Sequence, residues 1–219
     1  MNCLIKIYGI AKGSGMIYPN MATTLGYIFT DATLSSSVLN DVLKNNIKTT
    51  FNAISCDGDT STNDMVSIFS TCTVNHSEIK KYSDIRLKKF NKAVHDVLLN
   101  LAKQVVSDGE GASKFISINC INCRTEKDAK NISFKIANSL LVKTAIAGED
   151  PNWGRVAMAI GNSDSKINEQ KLSISFGPYK IYHKGSLYKF YDEEKVTDYM
   201  KGQSIEIKVD IGQGNKKFK

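Results

Sequence analysis

"SIEIKVDIG", residues 204–212, alternates without a break: Ile205, Ile207, Val209 and Ile211 fall on one side of an extended chain, Glu206, Lys208 and Asp210 on the other. Successive strand side chains point to opposite faces, so this pattern predicts a strand with one face on a core and one toward water. "KLSISFG" (171–177) and "YKIYHKG" (179–185) alternate in the same way. Further upstream, "KFISINCIN" (114–122) places Ile116, Ile118 and Cys120 on one face of another strand.

Helical spacing takes over between these strands. From Asp84 to Ser107 the apolar positions 87, 90, 94, 97, 98, 101 and 105 form one stripe with the lysines off it, and Gly109 supplies a stop before "DGEG". Leu34 to Ile47 keeps the same period at 34, 38, 39, 42, 43 and 47. Thr125 followed by Asp128 is a relative of the capping box and opens a helix through Ala129, Ile132, Ile136 and Leu140. "VKTAIAGEDPNWGRVAMAIG" continues from it, with Pro151 suited to the first turn of a short helix ending at Gly161. "MVSIFSTCTV" (65–74) is apolar and β-branched, and its pattern fits a buried strand or a helix start equally. Residues 1–32 are Gly-rich and poor in charge. The fold class expected is α+β, mixed helices packed on β-sheets, with no linker that cuts the chain.

The chain has 219 residues, enough apolar content (42%) for a sizeable core, and a formal charge of +7. Its densest basic stretch, Lys80 to Lys92, is threaded by the apolar stripe, so a solvated helix face explains it better than a nucleic-acid patch. Five cysteines, an odd and sparse set, favour a reducing compartment over a disulfide scaffold. Cys120-Ile-Asn-Cys123 is a lone C-x-x-C, whereas a structural zinc needs about four ligands, and no metal is expected. No apolar run reaches the roughly 18–20 residues of a membrane span, and the first ten residues lack a signal-peptide layout. These features give the expectation of a soluble, cytoplasmic protein without nucleic-acid or membrane partners.

Several phosphate and metal patterns fail on spacing. "KGSGM" (12–16) and "GEGASK" (109–114) match neither the Walker nor the dinucleotide pattern. "DGDTSTND" (57–64) resembles a calcium loop, but its sixth position is Thr62 and its twelfth Ile68, which rejects an EF-hand and leaves a turn rich in side-chain to backbone hydrogen bonds. His76, His95 and His183 suggest no Ser-His-Asp assembly. A nucleophile here would have to manage without histidine, as an N-terminal threonine does when its own α-amino group, with a pKa of about 7.7–8.0, serves as base. "IAKGSGMIYPNMATTLGYIFTDA" (10–32) is then either an ordinary turn into an apolar run or a place where cutting Ala22-Thr23 makes such a residue.

"AKGSGMIYPNMATTLGYIFTDA", "FNAISCDGDTSTND", "SDGEGASKFI", "LVKTAIAGEDPNWGR" and "DIGQGN", in that order, closely resemble the glutamate N-acetyltransferase, or ornithine acetyltransferase, family of arginine biosynthesis, from about residue 9 to 215. The resemblance implies a layered sandwich fold and a self-processing N-acyltransferase. Its Ala22-Thr23 bond would be cleaved, and the new N-terminal Thr23 would take the acetyl group from N2-acetyl-L-ornithine and pass it to L-glutamate with ping-pong kinetics. Lys12 matches the family's substrate-binding lysine, Glu110 its substrate-binding glutamate, and Thr23 serves as nucleophile and substrate contact. "DGDTSTND" and "GEDPNWGR" look like framing of that site. No cofactor is implied, although some members take acetyl-CoA as donor, and the α and β fragments pair as a heterotetramer. On this resemblance residues 1–22 are the end of the α-chain region and 23–219 the β-chain region.

The sequence departs from the family at both ends. Family members carry a long segment before "KGSGM", with a Thr-Gly oxyanion pair and another substrate-binding threonine, whereas about ten residues precede Lys12 here. They also continue past "DIGQGN" through a final strand and a tail whose Asn and Ser or Thr bind substrate, whereas this chain stops at "KKFK". Loss of one oxyanion donor costs about 10²–10³-fold in turnover. The expectation is therefore an incomplete acetyltransferase, truncated or one part of a split enzyme, with a non-catalytic remnant acting as an interaction partner as the alternative.

Overall fold

A computed structural model describes residues 4–18, 25–63, 65–77 and 79–219. The chain forms two compact units, Met1–Glu110 and Gly111–Lys219. The boundary between them falls inside "DGEG", in the turn after the long helix, with no Pro- or Ser-rich linker to mark it.

In the first unit, β1 (Ile7–Lys12), β2 (Leu25–Ala32) and β3 (Met65–Val74) form a sheet in that order. β1 runs antiparallel to β2, from Ile7 opposite Thr30 to Lys12 opposite Leu25, and β2 runs parallel to β3 with Leu25 opposite Met65. Parallel pairing decides the ambiguous 65–74 stretch as a strand. Two helices, α1 (Ser36–Ile47) and α2 (Leu87–Ser107), supply the apolar stripes read from the sequence: Val38 and Val42 from α1 and Val94, Leu98 and Ala102 from α2 are buried with Ile28 and Phe51. Ser35 caps α1, its hydroxyl accepting from Val38 N, so the helix begins two residues after Leu34. The other edge of the β1 alternation exposes Tyr8 and Ile10, and Phe29 and Phe69 stack in the open at 5.6 Å between ring centres.

The second unit has β4 (Phe115–Cys123), α3 (Glu126–Ala137), α4 (Leu140–Ala147), α5 (Trp153–Gly161), β5 (Ser173–Phe176), β6 (Tyr179–His183), β7 (Ser186–Leu187), α6 (Glu193–Met200), β8 (Ser204–Asp210) and β9 (Lys216–Phe218). The six-stranded sheet has the order β7-β6-β5-β8-β4-β9. β8, the "SIEIKVD" strand, lies inside it, parallel to β4 and antiparallel to β5. Ile205, Ile207 and Val209 are fully buried among Ile132 and Ile136 of α3 and Ile160 of α5, while Lys208 is exposed, as the alternation requires.

Two helix boundaries differ from the sequence expectation. The helix opened by Thr125 stops at Ala137, because Ser139 caps a new helix by accepting from Val142 N. Pro151 stands before the first turn of α5 instead of within it, since Asn152 is the cap and accepts from Arg155 N.

Candidate active site

The six residues of β1 end at Lys12, whose side chain is on the solvent-facing side of the alternation. "GSGM" then turns the chain through Met16, which adopts φ 58°, a left-handed backbone that a side chain ordinarily resists. Asp57 compensates. Its carboxylate accepts hydrogen bonds from Met16 N at 2.6 Å, from Ile17 N at 3.0 Å and from Asp59 N at 3.0 Å. Charge-assisted bonds of this kind are roughly twice as strong as neutral ones, so one side chain fixes the turn. Cys56 N donates to Ile17 O at 2.6 Å and Thr60 Oγ1 to Tyr18 O at 3.4 Å, so the "CDGDT" segment runs alongside residues 16–18 and clamps both backbone edges.

α2 brings in the second charged group. After the helix ends at Ser107, Glu110 N donates to Ser14 O at 2.7 Å. The Glu110 carboxylate lies over the loop: a methyl group added to Gly15 would stand 3.3 Å from its Oε2. A close approach of α2 to β1 makes this possible, because a methyl on Gly9 would meet Leu101 Cδ1 at 2.7 Å, Ile28 Cδ1 at 2.8 Å and Val97 Cγ1 at 2.9 Å. Lys12 is at the end of the strand that leaves this contact, and Glu110 lies three residues beyond the helix that makes it. An exposed ammonium just before the Gly-Ser-Gly stretch and an exposed carboxylate lying over it can pair with a ligand that carries both a carboxylate and an amino group.

Of the residues singled out in the sequence, Lys12 and Glu110 therefore belong to one loop-centred arrangement. Ala22 and Thr23 lie outside the described residues; Leu25, two residues after Thr23 in sequence, pairs with Lys12. Asp57 is the residue that sequence reasoning missed. "DGDTSTND" was legible as a turn with side-chain to backbone bonds, but those bonds reach 40 residues back along the chain.

The remaining candidates have other partners. His76 accepts from Thr33 N through Nε2, which leaves Nδ1 to donate to Ser77 O; His95 bonds to Thr49 and His183 to Ser173. Arg86 pairs with Asp84, holding that carboxyl down at about 2, and Lys92 pairs with Asp96 on the exposed face of α2. Cys120 and Cys123 are buried free thiols with sulfurs 3.3 Å apart, flanking Asn122 at φ 57°. Contact with Cys123 and burial push the Cys120 thiol up. No group of three or more His, Cys, Asp or Glu arranged to hold a metal occurs among the described residues. In the same residues no helix is long and apolar enough to cross a membrane. "GEDPNWGR" works within the second unit: Glu149 pairs with Lys114 at 3.0 Å, Trp153 stacks on Tyr182, and Arg155 ties α5 to α4 through Leu141 O and Thr144 Oγ1.

Residues 2–219 match the model of the ArgJ family. The chain is 47% identical over 213 residues to the arginine biosynthesis bifunctional protein ArgJ of Bradyrhizobium diazoefficiens, an alignment covering 96% of this chain and 52% of that protein. It is 46% identical over 211 residues to the protein of the same name from Gluconobacter oxydans, covering 96% of this chain and 50% of that one. It thus spans about half the length of these curated relatives. Its structure is similar to the crystal structure of the arginine biosynthesis bifunctional protein ArgJ from Bacillus halodurans, with a TM-score of 0.83 and 34% identity over 88% of this chain and 90% of that one. The α+β class expected from the sequence agrees with that likeness.

Proposed function

The chain belongs to the ArgJ family, and on that premise we propose that it is the part of an arginine-biosynthetic acyltransferase that carries the nucleophile. In this reading the Ala22-Thr23 bond is self-cleaved and the freed Thr23 amine acts as base. Thr23 Oγ attacks the acetyl carbonyl of N2-acetyl-L-ornithine, the amine takes the hydroxyl proton, and that proton passes to the departing ornithine nitrogen as the C–N bond breaks. The acetyl ester left on Thr23 is attacked by the amino group of L-glutamate, whose proton returns to Oγ as the ester opens. Acetyl-CoA is a second donor that this ester chemistry accommodates, and no cofactor is needed.

The observation that carries this reading is the loop-centred pair. Lys12 leads into the stretch whose backbone Asp57 fixes, Glu110 is hydrogen-bonded to that stretch at Ser14 with its carboxylate over Gly15, and the stretch runs directly toward Thr23 in sequence. Lys12 pairs with the substrate carboxylate, and Glu110 with its free amino end, which positions the acyl group with little motion left to freeze. Residues 1–22 then close the α-chain region and 23–219 form the β-chain region, the two fragments assembling as a heterotetramer in the cytoplasm.

Intact mass of the purified chain reads the cleavage, and exchange of acetyl between N2-acetyl-L-ornithine and labelled glutamate reads the transfer. Two fragments, one ending at Ala22 and the other beginning at Thr23, with both activities lost in Thr23→Ala, are the expected result. An uncut chain that exchanges no acetyl overturns the enzymatic role of this chain, and transfer retained by Thr23→Ala overturns the nucleophile.

A further inference from the structure

In the second unit, the faces of β5, β6 and β8 turned away from the apolar core line a cavity of about 560 Å³. Its walls carry Lys171, Lys180, Lys184 and Lys208 against one carboxylate, Asp210. That carboxylate is already engaged: Asp210 Oδ1 accepts from Asn122 Nδ2 and from Gly212 N, each at 2.9 Å. Among the described residues none of the four ammonium groups has a carboxylate within 4.0 Å; Lys180 instead lies 5.3 Å from the ring centre of Tyr188. His183 and Ser173 complete the floor, hydrogen-bonded to each other at 3.1 Å.

Four like charges around one concavity repel one another, and the concave surface concentrates their field where an anion would sit. The volume is that of a small-molecule site, about 300–1,000 Å³. Lysine ammoniums are compact point charges on flexible stems, so they select a ligand by its charge more than by the planar geometry that arginine reads. We propose that this pocket binds a small polyanion bearing two or three negative charges on phosphate or carboxylate groups. All its residues belong to the second unit, whereas Lys12 and Glu110 belong to the first, and it does not rest on the acetyl-transfer reading.

Isothermal titration of the full chain with pyrophosphate, and separately with citrate, tests this. Saturable binding with one site per chain is expected for at least one of them, weakening as salt rises, and the tighter of the two shows whether phosphate or carboxylate is the natural group. Lys180 and Lys208 are exposed, so replacing them leaves the core intact. K180Q/K208Q removes two charge-assisted contacts and is expected to weaken binding at least about tenfold. K88Q/K89Q removes the same charge from the exposed face of α2 and is expected to leave binding unchanged. No saturable binding of either anion overturns the proposal, as does equal weakening by both double variants, which would assign the binding to the diffuse positive charge of the chain.

Discussion

Gly9→Ala tests how tightly β1 is seated on α2. The added methyl would stand 2.7 Å from Leu101 Cδ1, 2.8 Å from Ile28 Cδ1 and 2.9 Å from Val97 Cγ1, approached from three sides. Carbon atoms settle at about 3.5–4.0 Å, so each neighbour must retreat by roughly 0.8 Å or the strand must lift. Ile28 is fully buried and Leu101 nearly so, which leaves little space to retreat into. Overpacking of this kind costs about 1–3 kcal/mol. Replacing glycine in a strand returns about 0.5–1 kcal/mol of backbone entropy. The net expectation is a destabilisation of about 1–2 kcal/mol, with the melting temperature of a unit this size falling by about 4–8 °C per kcal/mol. Urea denaturation of wild type, Gly9→Ala, Leu101→Ala and the double variant measures it. Because Leu101→Ala clears one obstruction, the double variant is expected to be more stable than the sum of the singles by about 0.5–3 kcal/mol. A Gly9→Ala protein as stable as wild type, or strict additivity, would refute the close-approach account.

Three further outcomes follow from other contacts. Asp57→Asn keeps the shape of the side chain but removes its charge, and is expected to speed hydrogen exchange at Met16 and Ile17 and to cost about 1–3 kcal/mol; unchanged protection of those amides would remove Asp57 as the clamp. Ile207→Ala, in the sheet interior, is expected to cost about 2–5 kcal/mol in the unfolding of the second unit, and a loss well under 1 kcal/mol would mean that β8 is not core. Burial, then the neighbouring Lys180 and Lys184, hold His183 below the ordinary imidazole range. The folded state therefore binds this proton less readily than the unfolded one: the stabilisation is complete above about pH 6.5 and is lost as pH falls toward the lower folded-state value. Denaturant midpoints across that window should show a slope in wild type that His183→Gln lacks, and equal slopes would discard the shift.

What the sequence made legible tracks how far each signal reaches along the chain. The β8 alternation and the α2 stripe are local and strong, and both elements form where their periods place them. β1 and β2 escaped notice because "IYGIAK" is six residues long and breaks its apolar run with a glycine; their register comes from pairing with each other and with β3. α6 buries only Val196 and Met200, too few to give a stripe, although Asp192 followed by Glu193 was an available start signal. In the candidate site, Lys12 and Glu110 were named through motif resemblance, and their shared attachment to the Ser14 loop is tertiary. Asp57 had no signal beyond its place in a turn-forming run, because Met16 and Ile17, the partners through which it holds the loop, lie far away in sequence.

The pairing of β1 with β2 bears on what a break in the covalent chain between Ile17 and Leu25 would do. Such a nick turns a hairpin into two separate molecules and forfeits the high effective concentration that tethering supplies. Yet the upstream piece would still hold the ladder from Ile7 opposite Thr30 to Lys12 opposite Leu25, the Gly9 seat on α2 and the Asp57 bonds to Met16 and Ile17. All of these act across the nick and none depends on the intervening peptide. The upstream peptide would leave only by giving them up together, so its dwell time on the downstream piece, more than the continuity of the backbone, would decide how long Lys12 remains in place.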